Sequence, residues 1–421
     1  MDMELTQEIQ EFLHKDALVR FLRYVKVWTT SDDTKESVPT SENQLDLGKL
    51  LVEELQELKL ENIIQDEYGF VYAYLPPSKG FEKVQSIGFL AHMDTSPSVS
   101  GKNVKPTIHS NYDGKDIKYT SNKELVLSID DSPNLAEYIG LDIITSEGDT
   151  LLGADNKAGI AEIMAVCSAW MKYSQLKHGP IYICFTPDEE TGLGISNVNK
   201  KKIPEICYTV DGGEMGELEF ECFDAWRADF KFKGLNVHPG YAKNKMINAI
   251  QIASRFFSDI PESESPESTE EREGYFHLEN LSGKAEKASA RMIIRDFVIK
   301  NNQRRMDYLK SLIQTYEIRY PGLKIISDFK HQYQNMYKYI EKKVFIVDIA
   351  KKSIEAAGLE VKIRPIRGGT DGARLSADGI ITPNIFSGGS LFHSRKEFIP
   401  TLALQKAAEV LLYLAHSWTQ Q

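Results

Sequence analysis

Histidines and carboxylates stand at five places where apolar, strand-like runs of the chain come to an end. His92-Met93-Asp94 follows a run that closes at Ala91, and Asp155 lies in Gly153-Ala154-Asp155-Asn156-Lys157-Ala158-Gly159, between a strand-like stretch and a helix. Asp188-Glu189-Glu190 comes after the run 181–186, Asp211-Gly212-Gly213 after 208–210, and His393 after Gly388-Gly389. Taken singly, each fragment has a bland reading. A His-x-Asp pair recurs by chance, paired glutamates favour the positive end of a helix dipole, and Asp-Gly-Gly is a common turn. Together, two imidazoles and several carboxylates form a hard, mixed N/O set suited to Zn²⁺, Mn²⁺ or Co²⁺. Spacing alone leaves a metallohydrolase and a chance collection of turn and helix-start residues both standing.

The elements that would position these groups follow from hydrophobic period. Leu18, Phe21, Leu22 and Val25 recur at helical spacing, as do Leu50, Leu51, Leu55 and Leu58, while Ile160, Ile163, Met164 and Cys167 mark one helix face. Residues 71–75, 87–91, 181–186 and 208–210 read as strands, and 87–91 is apolar throughout, as a strand covered on both faces is. Such alternation predicts an α/β domain with a mixed sheet and helices on both faces. Ligands of open α/β sheets bind beyond the carboxyl ends of the strands, so the chemical groups could converge on one crevice.

After residue 222 the grammar changes. A strand at 230–233 leads to a helical stripe at 246–257. Two strand-like segments then flank a turn at Ser282-Gly283. A helix marked by Met306, Leu309, Leu312, Ile313 and Tyr316 and a strand at 323–329 complete the order of a ferredoxin-like sandwich. The α/β style resumes with a helix at 341–357, a strand at 361–366, a helix at 371–377, a strand at 381–386 and a helix at 401–417. The reading is one α/β domain, 1–222 with 336–421, carrying an inserted α+β domain at 223–335. The Pro/Glu/Ser-rich loop 261–273 reads as a solvated connection.

The 421 residues hold 50 Lys+Arg against 61 Asp+Glu, a net charge of −11, which is a poor surface for nucleic acid or an anionic membrane. Apolar residues at 42% and charged residues at 26% set aside disorder and collagen-like repetition. No apolar run reaches the ~20 residues of a spanning helix, and the acidic start lacks a secretory pattern. Cys167, Cys184, Cys207 and Cys222 form no CxxC pair, and three of them lie in apolar, helix- or strand-like surroundings where a small buried thiol is the expected role. A reduced, cytoplasmic protein is expected.

In order, His92-x-Asp94, the Gly153–Gly159 turn, Pro187-Asp188-Glu189-Glu190-Thr191-Gly192, Asp211-Gly212-Gly213 and His393 resemble the co-catalytic zinc metallopeptidases of the M20 family. The resemblance is nearest to the tripeptide aminopeptidases of that family. Further signatures are Gly216-Glu217-Leu218-Glu219-Phe220-Glu221, Asn236-Val237-His238-Pro239-Gly240, Ile294-Arg295-Asp296-Phe297 and Arg367-Gly368-Gly369-Thr370-Asp371-Gly372. The resemblance implies a zinc-peptidase-like sheet with a lid domain inserted. It implies two divalent metals per chain, zinc first among them: His92 and Asp211 on one, His393 and Glu190 on the other, Asp155 bridging. Asp94 would orient the His92 imidazole. Glu189 would be the general base, and His238 would stabilise the tetrahedral oxyanion. The implied reaction releases the N-terminal residue of tripeptides.

Selection of short peptides requires a grip on the far end of the substrate. Asn248, Arg295 and Arg367 are the candidates, since arginine holds a carboxylate bidentately; an ion pair with Asp296 or another acid on the strand is the alternative for Arg295. Departures from the family pattern fall in the inserted domain, at Phe223-Asp224-Ala225-Trp226, Tyr241 and Val298, and bear on peptide length and side-chain preference. A dipeptidase, a carboxypeptidase or an N-acyl amino acid deacylase of the same family would share the metal set. A non-catalytic peptide-binding protein is opposed by the presence of Glu189 beside every ligand. Monomer and homodimer are both compatible with the resemblance.

Overall fold

The all-apolar run at 87–91 becomes the strand Ile87–His92, buried along its whole length. Two parallel neighbours flank it, Ile181–Thr186 and Cys207–Gly212. The full mixed sheet has eight strands in the order Glu61–Gln65, Val71–Leu75, Ile181–Thr186, Ile87–His92, Cys207–Gly212, Asn384–Phe386, Glu217–Glu219, Lys362–Ile363. Successive side chains of a strand point to opposite faces. Accordingly Phe89 stacks on Trp170 of the helix Ala154–Lys172, whereas Leu90 packs with Ile195 and with Leu375 of the helix Asp371–Ala377. Helices cover both faces, as the sequence predicts.

The computed structural model describes residues 3–421 and divides into two units. The sheet just described belongs to the first, which runs up to Phe220 and resumes with Lys338–Arg364 and Thr370–Gln421. Its helices Gln7–Tyr24, Ala154–Lys172 and Thr401–Trp418 pack against one another. Gln7–Tyr24 begins well before the stripe read from Leu18 onward, because Thr6 caps it by accepting from the Ile9 N–H. Ile9, Leu13, Ala17, Phe21 and Tyr24 form its buried face. The helix expected at 341–357 is Phe345–Ala356, preceded by short turns. The strand expected at 361–366 shrinks to Lys362–Ile363, whose parallel partner Glu217–Glu219 is itself only three residues long.

The second unit, Glu221–Tyr337 with Pro365–Gly369, holds an antiparallel sheet in the order Tyr275–Gly283, Lys287–Asp296, Asp224–Lys233, Lys324–Tyr333. With the helices Ala249–Ser258 and Ile299–Arg319 the chain order is strand, helix, strand, strand, helix, strand, a ferredoxin-like arrangement. Phe230, Phe232, Phe256, Met292, Leu309 and Tyr316 fill its core. The hairpin turns at 284–286, two residues beyond the Ser282-Gly283 signal. The ladder continues through a Ser282–Ser289 hydroxyl pair to Gly283 opposite Ala288. All four cysteines are buried, and none is joined in a disulfide. Among the described residues no helix is long and apolar enough to cross a membrane.

Candidate active site

Three parallel strands end at one edge of the first unit, and their ends carry the chemistry. His92 is the last residue of Ile87–His92, Asp211 is near the end of Cys207–Gly212, and Glu189-Glu190 lie in the turn after Ile181–Thr186. Asp155 enters from the turn opening the helix Ala154–Lys172, where it and Asn156 keep non-helical backbone and their shared peptide is cis. His393 arrives on the loop before the strand Phe398–Pro400, with a left-handed φ of 58°.

These side chains meet around Asp155. His92 Nε2 is 2.9 Å from Asp155 Oδ1 and 3.2 Å from Asp211 Oδ1. His393 Nε2 is 3.0 Å from Asp155 Oδ2 and 2.9 Å from Glu190 Oε1. Two groups of potential ligands result, His92–Asp155–Asp211 and Asp155–Glu190–His393. Donors about 3 Å apart leave room for an ion roughly 2.0–2.1 Å from each, the usual zinc–nitrogen and zinc–oxygen distance. Glu190 Oε1 is buried and makes no well-formed hydrogen bond, so its lone pairs are left for a cation.

Electrostatics point the same way. Burial opposes a charged His92, yet the carboxylates of Asp211, Asp155 and Asp94 hold it well above the ordinary imidazole range. Asp155 and Glu190 push His393 up to about 11. Burial, with Asp155 alongside, lifts Glu190 to about 7, and burial with Asp211 lifts Glu189 well above the usual carboxylate range. A buried crowd of acids this dense is costly unless positive charge is supplied. Divalent cations fit.

Asp94, buried completely, organises the neighbourhood. Its side chain lies 3.2 Å from His92 Nδ1 and accepts the main-chain N–H groups of Glu189 (3.0 Å) and Glu190 (3.2 Å). It therefore orients one histidine and both glutamates, more than the histidine alone expected from sequence.

The remaining expected residues lie in the second unit. His238 caps the short turn Pro239–Tyr241, its Nδ1 accepting from the Gly240 N–H at 3.1 Å, with the Tyr241 ring beside it. That bond leaves the proton of a neutral ring on Nε2. Asn248 caps the helix Ala249–Ser258 by accepting from Gln251. Arg295 is buried, donates from Nη1 to the carbonyls of Trp226 and Ile294, and lies over the Tyr333 ring. The Asp296 carboxylate pairs with Arg305. Arg367 is committed within its own unit: its terminal nitrogens donate to Thr269, Glu271 and Glu273, and its plane lies over Phe223 and Tyr275.

Several residues around the site show their contacts only once the chain is folded. Asp188, in the left-handed region at φ 54°, accepts from Thr40 and Gln44 and so fixes the turn that presents the glutamates. Asp371 accepts from Thr186 at 2.7 Å. Glu397 is buried against the Asp155 turn. An acid inside or beside an apolar run, as in Glu397-Phe398-Ile399, was the available clue.

The model of Peptidase family M20/M25/M40 matches residues 147–417. The chain belongs to peptidase family M20. Curated relatives named peptidase T extend the likeness nearly end to end. One from Halothermothrix orenii is 46% identical over 93% of this chain and 96% of its own length. Another from Clostridium acetobutylicum is 44% identical over 97% and 100%. In fold, the chain resembles a solved tripeptidase from Staphylococcus aureus (TM-score 0.76, 21% identity, 97% of this chain and 99% of that one). It also resembles a Bacillus subtilis M20 member described as a dinuclear metal binding peptidase (TM-score 0.66, 13% identity, 98% and 99%). M20 membership accounts for the α/β sheet with its ferredoxin-like insertion, and it makes this chain a hydrolase of peptide bonds.

Proposed function

We propose that this M20 chain is an aminopeptidase that releases the N-terminal residue of tripeptides with two divalent metal ions. The observation that carries the reading is Asp155, whose two oxygens face His92 and His393 at 2.9 and 3.0 Å. His92 and Asp211 would hold one ion, Glu190 and His393 the other, and Asp155 both. Zinc is the first choice for this N/O set. When bound, the metals supply Lewis acidity toward water and toward the scissile carbonyl.

The chain's own residues do the rest. Glu189 receives the proton of the attacking water on its carboxylate and returns it to the leaving amine. Asp94 holds the Glu189 main chain and the His92 ring in place. His238, with its Nε2–H available, donates to the developing oxyanion, and residues 223–335 serve as the lid that carries it. Arg295 and Asn248 receive the peptide's terminal carboxylate. The near-full-length identity to relatives named peptidase T supports tripeptides as the substrate class. Four buried thiols suit a reducing compartment, and the cytoplasm is part of the proposal.

A panel of Leu-Gly-Gly, Leu-Gly, N-acetyl-Leu-Gly-Gly and N-acetyl-leucine, followed by product analysis, tests this. Free leucine and Gly-Gly from the first, with the acetylated peptide inert, is the expected result. Preferred cleavage of the dipeptide, of the acetyl-amino acid, or at the C-terminal bond would move the chain to another M20 activity.

A further inference from the structure

Glu397 lies four residues after His393 on the same loop and is 1% exposed. Its Oε2 accepts the main-chain N–H groups of Leu152 (2.7 Å) and Gly153 (2.8 Å), and its Oε1 accepts that of Asp155 (3.1 Å). All three donors belong to the turn that presents Asp155. The strand that follows Glu397, Phe398–Pro400, pairs with Ile143–Thr145 on the approach to that same turn. One carboxylate thus joins the loop of His393 to the turn of Asp155, and the two side chains so joined meet at 3.0 Å. The ammonium of Lys157, buried and bonded to the Val27 carbonyl, lies within the electrostatic reach of Glu397 and Asp94.

Stripping a carboxylate of water is expensive, and three neutral main-chain donors could have been served by a local serine or asparagine. A side chain reaching there from a distant loop does something a local cap does not. It fixes the spacing between two loops.

We propose that Glu397 is a positioning residue that holds the Asp155 carboxylate in register with His393, so that the metal position formed by Asp155, Glu190 and His393 exists before the metal arrives. This rests on the ligand assignment proposed above, and the test separates the two. Metal-free full-length protein is titrated with Zn²⁺ against a chromophoric chelator and, separately, with Co²⁺ while the visible spectrum is recorded. Wild type should bind two ions; binding of fewer would overturn the ligand assignment itself. Glu397→Gln sets an amide N–H₂ against main-chain N–H groups. It should weaken one of the two ions by about ten- to a hundredfold, the usual worth of a group that orients a ligand. The Co²⁺ spectrum should change, and kcat should fall with KM nearly constant. Excess metal should recover part of the lost turnover, and Glu397→Asp should lie between Gln and wild type. A folded Glu397→Gln protein with wild-type metal affinities and Co²⁺ spectrum would overturn the proposal, even if its melting temperature had dropped. Should the Gln variant not fold, Glu397→Asp takes its place: weakened binding of one ion supports the proposal, and wild-type affinities with an unchanged Co²⁺ spectrum overturn it.

Discussion

The Asp94 carboxylate lies against the His92 ring while accepting the N–H groups of two successive glutamates. Adjacent residues in an irregular turn can then serve different ends, Glu190 beside His393 and Glu189 in the proposed role of general base. Replacing Glu189 by Gln should lower kcat by roughly 10²–10⁴, the worth of a positioned general base. Metal content should stay at wild-type level, because Glu190 is the assigned ligand. Full turnover, or loss of metal, would reverse the two roles. Arg295 is a second test at this scale. A charge-assisted bond to a peptide carboxylate contributes about 1.5–3 kcal/mol, so Arg295→Ala should reduce kcat/KM by roughly ten- to a hundredfold. Amidating the tripeptide should cost wild type a similar factor. The two losses should not add when combined, because both remove one contact. Full additivity would exclude Arg295 as the carboxylate anchor.

Among the elements, strands and loops divide the work. Apolar runs that stop at a histidine or an acid are a local signal, so His92, Glu190 and Asp211 could be placed at strand ends from sequence, and the structure puts those ends together. Partners across the chain leave no such trace. Thr40 and Gln44 hold Asp188 over separations of 148 and 144 residues, and Glu397 reaches Gly153 over 244. Strand lengths and turns also depend on partners: Lys362–Ile363 pairs with a strand of only three residues, and the hairpin ladder runs on through Ser282 opposite Ser289 to Gly283 opposite Ala288. Arg367 illustrates the difference between a motif and its contacts. Its donors hold the carbonyls of the 269–273 loop, the stretch that sequence alone leaves as a solvated connection. Arg367→Ala should therefore lower unfolding stability by about 1–3 kcal/mol, while the acid-to-amide preference of the enzyme is unchanged. Thermal or denaturant unfolding beside the acid and amide assays reads both, and an unchanged stability with a lost preference would return Arg367 to substrate binding.

At the scale of the whole molecule, the edge that carries the proposed ligands belongs entirely to the first unit, while His238, Asn248 and Arg295 lie in the second, on a ferredoxin-like frame. The sequence order of strands and helices announced both architectures. What it could not reveal was how tightly the ligand atoms group, since that depends on five segments distant along the chain. Their proximity, with acids outnumbering histidines in a buried crevice, makes the paired metal site the central claim. Elemental analysis of the full-length protein, equilibrated with excess Zn²⁺ and then freed of unbound metal, tests it most directly. The account predicts two ions per chain in wild type and a loss of bound metal when Asp155 is replaced by Ala. At most one tightly bound ion in wild type, or two retained without Asp155, would contradict it.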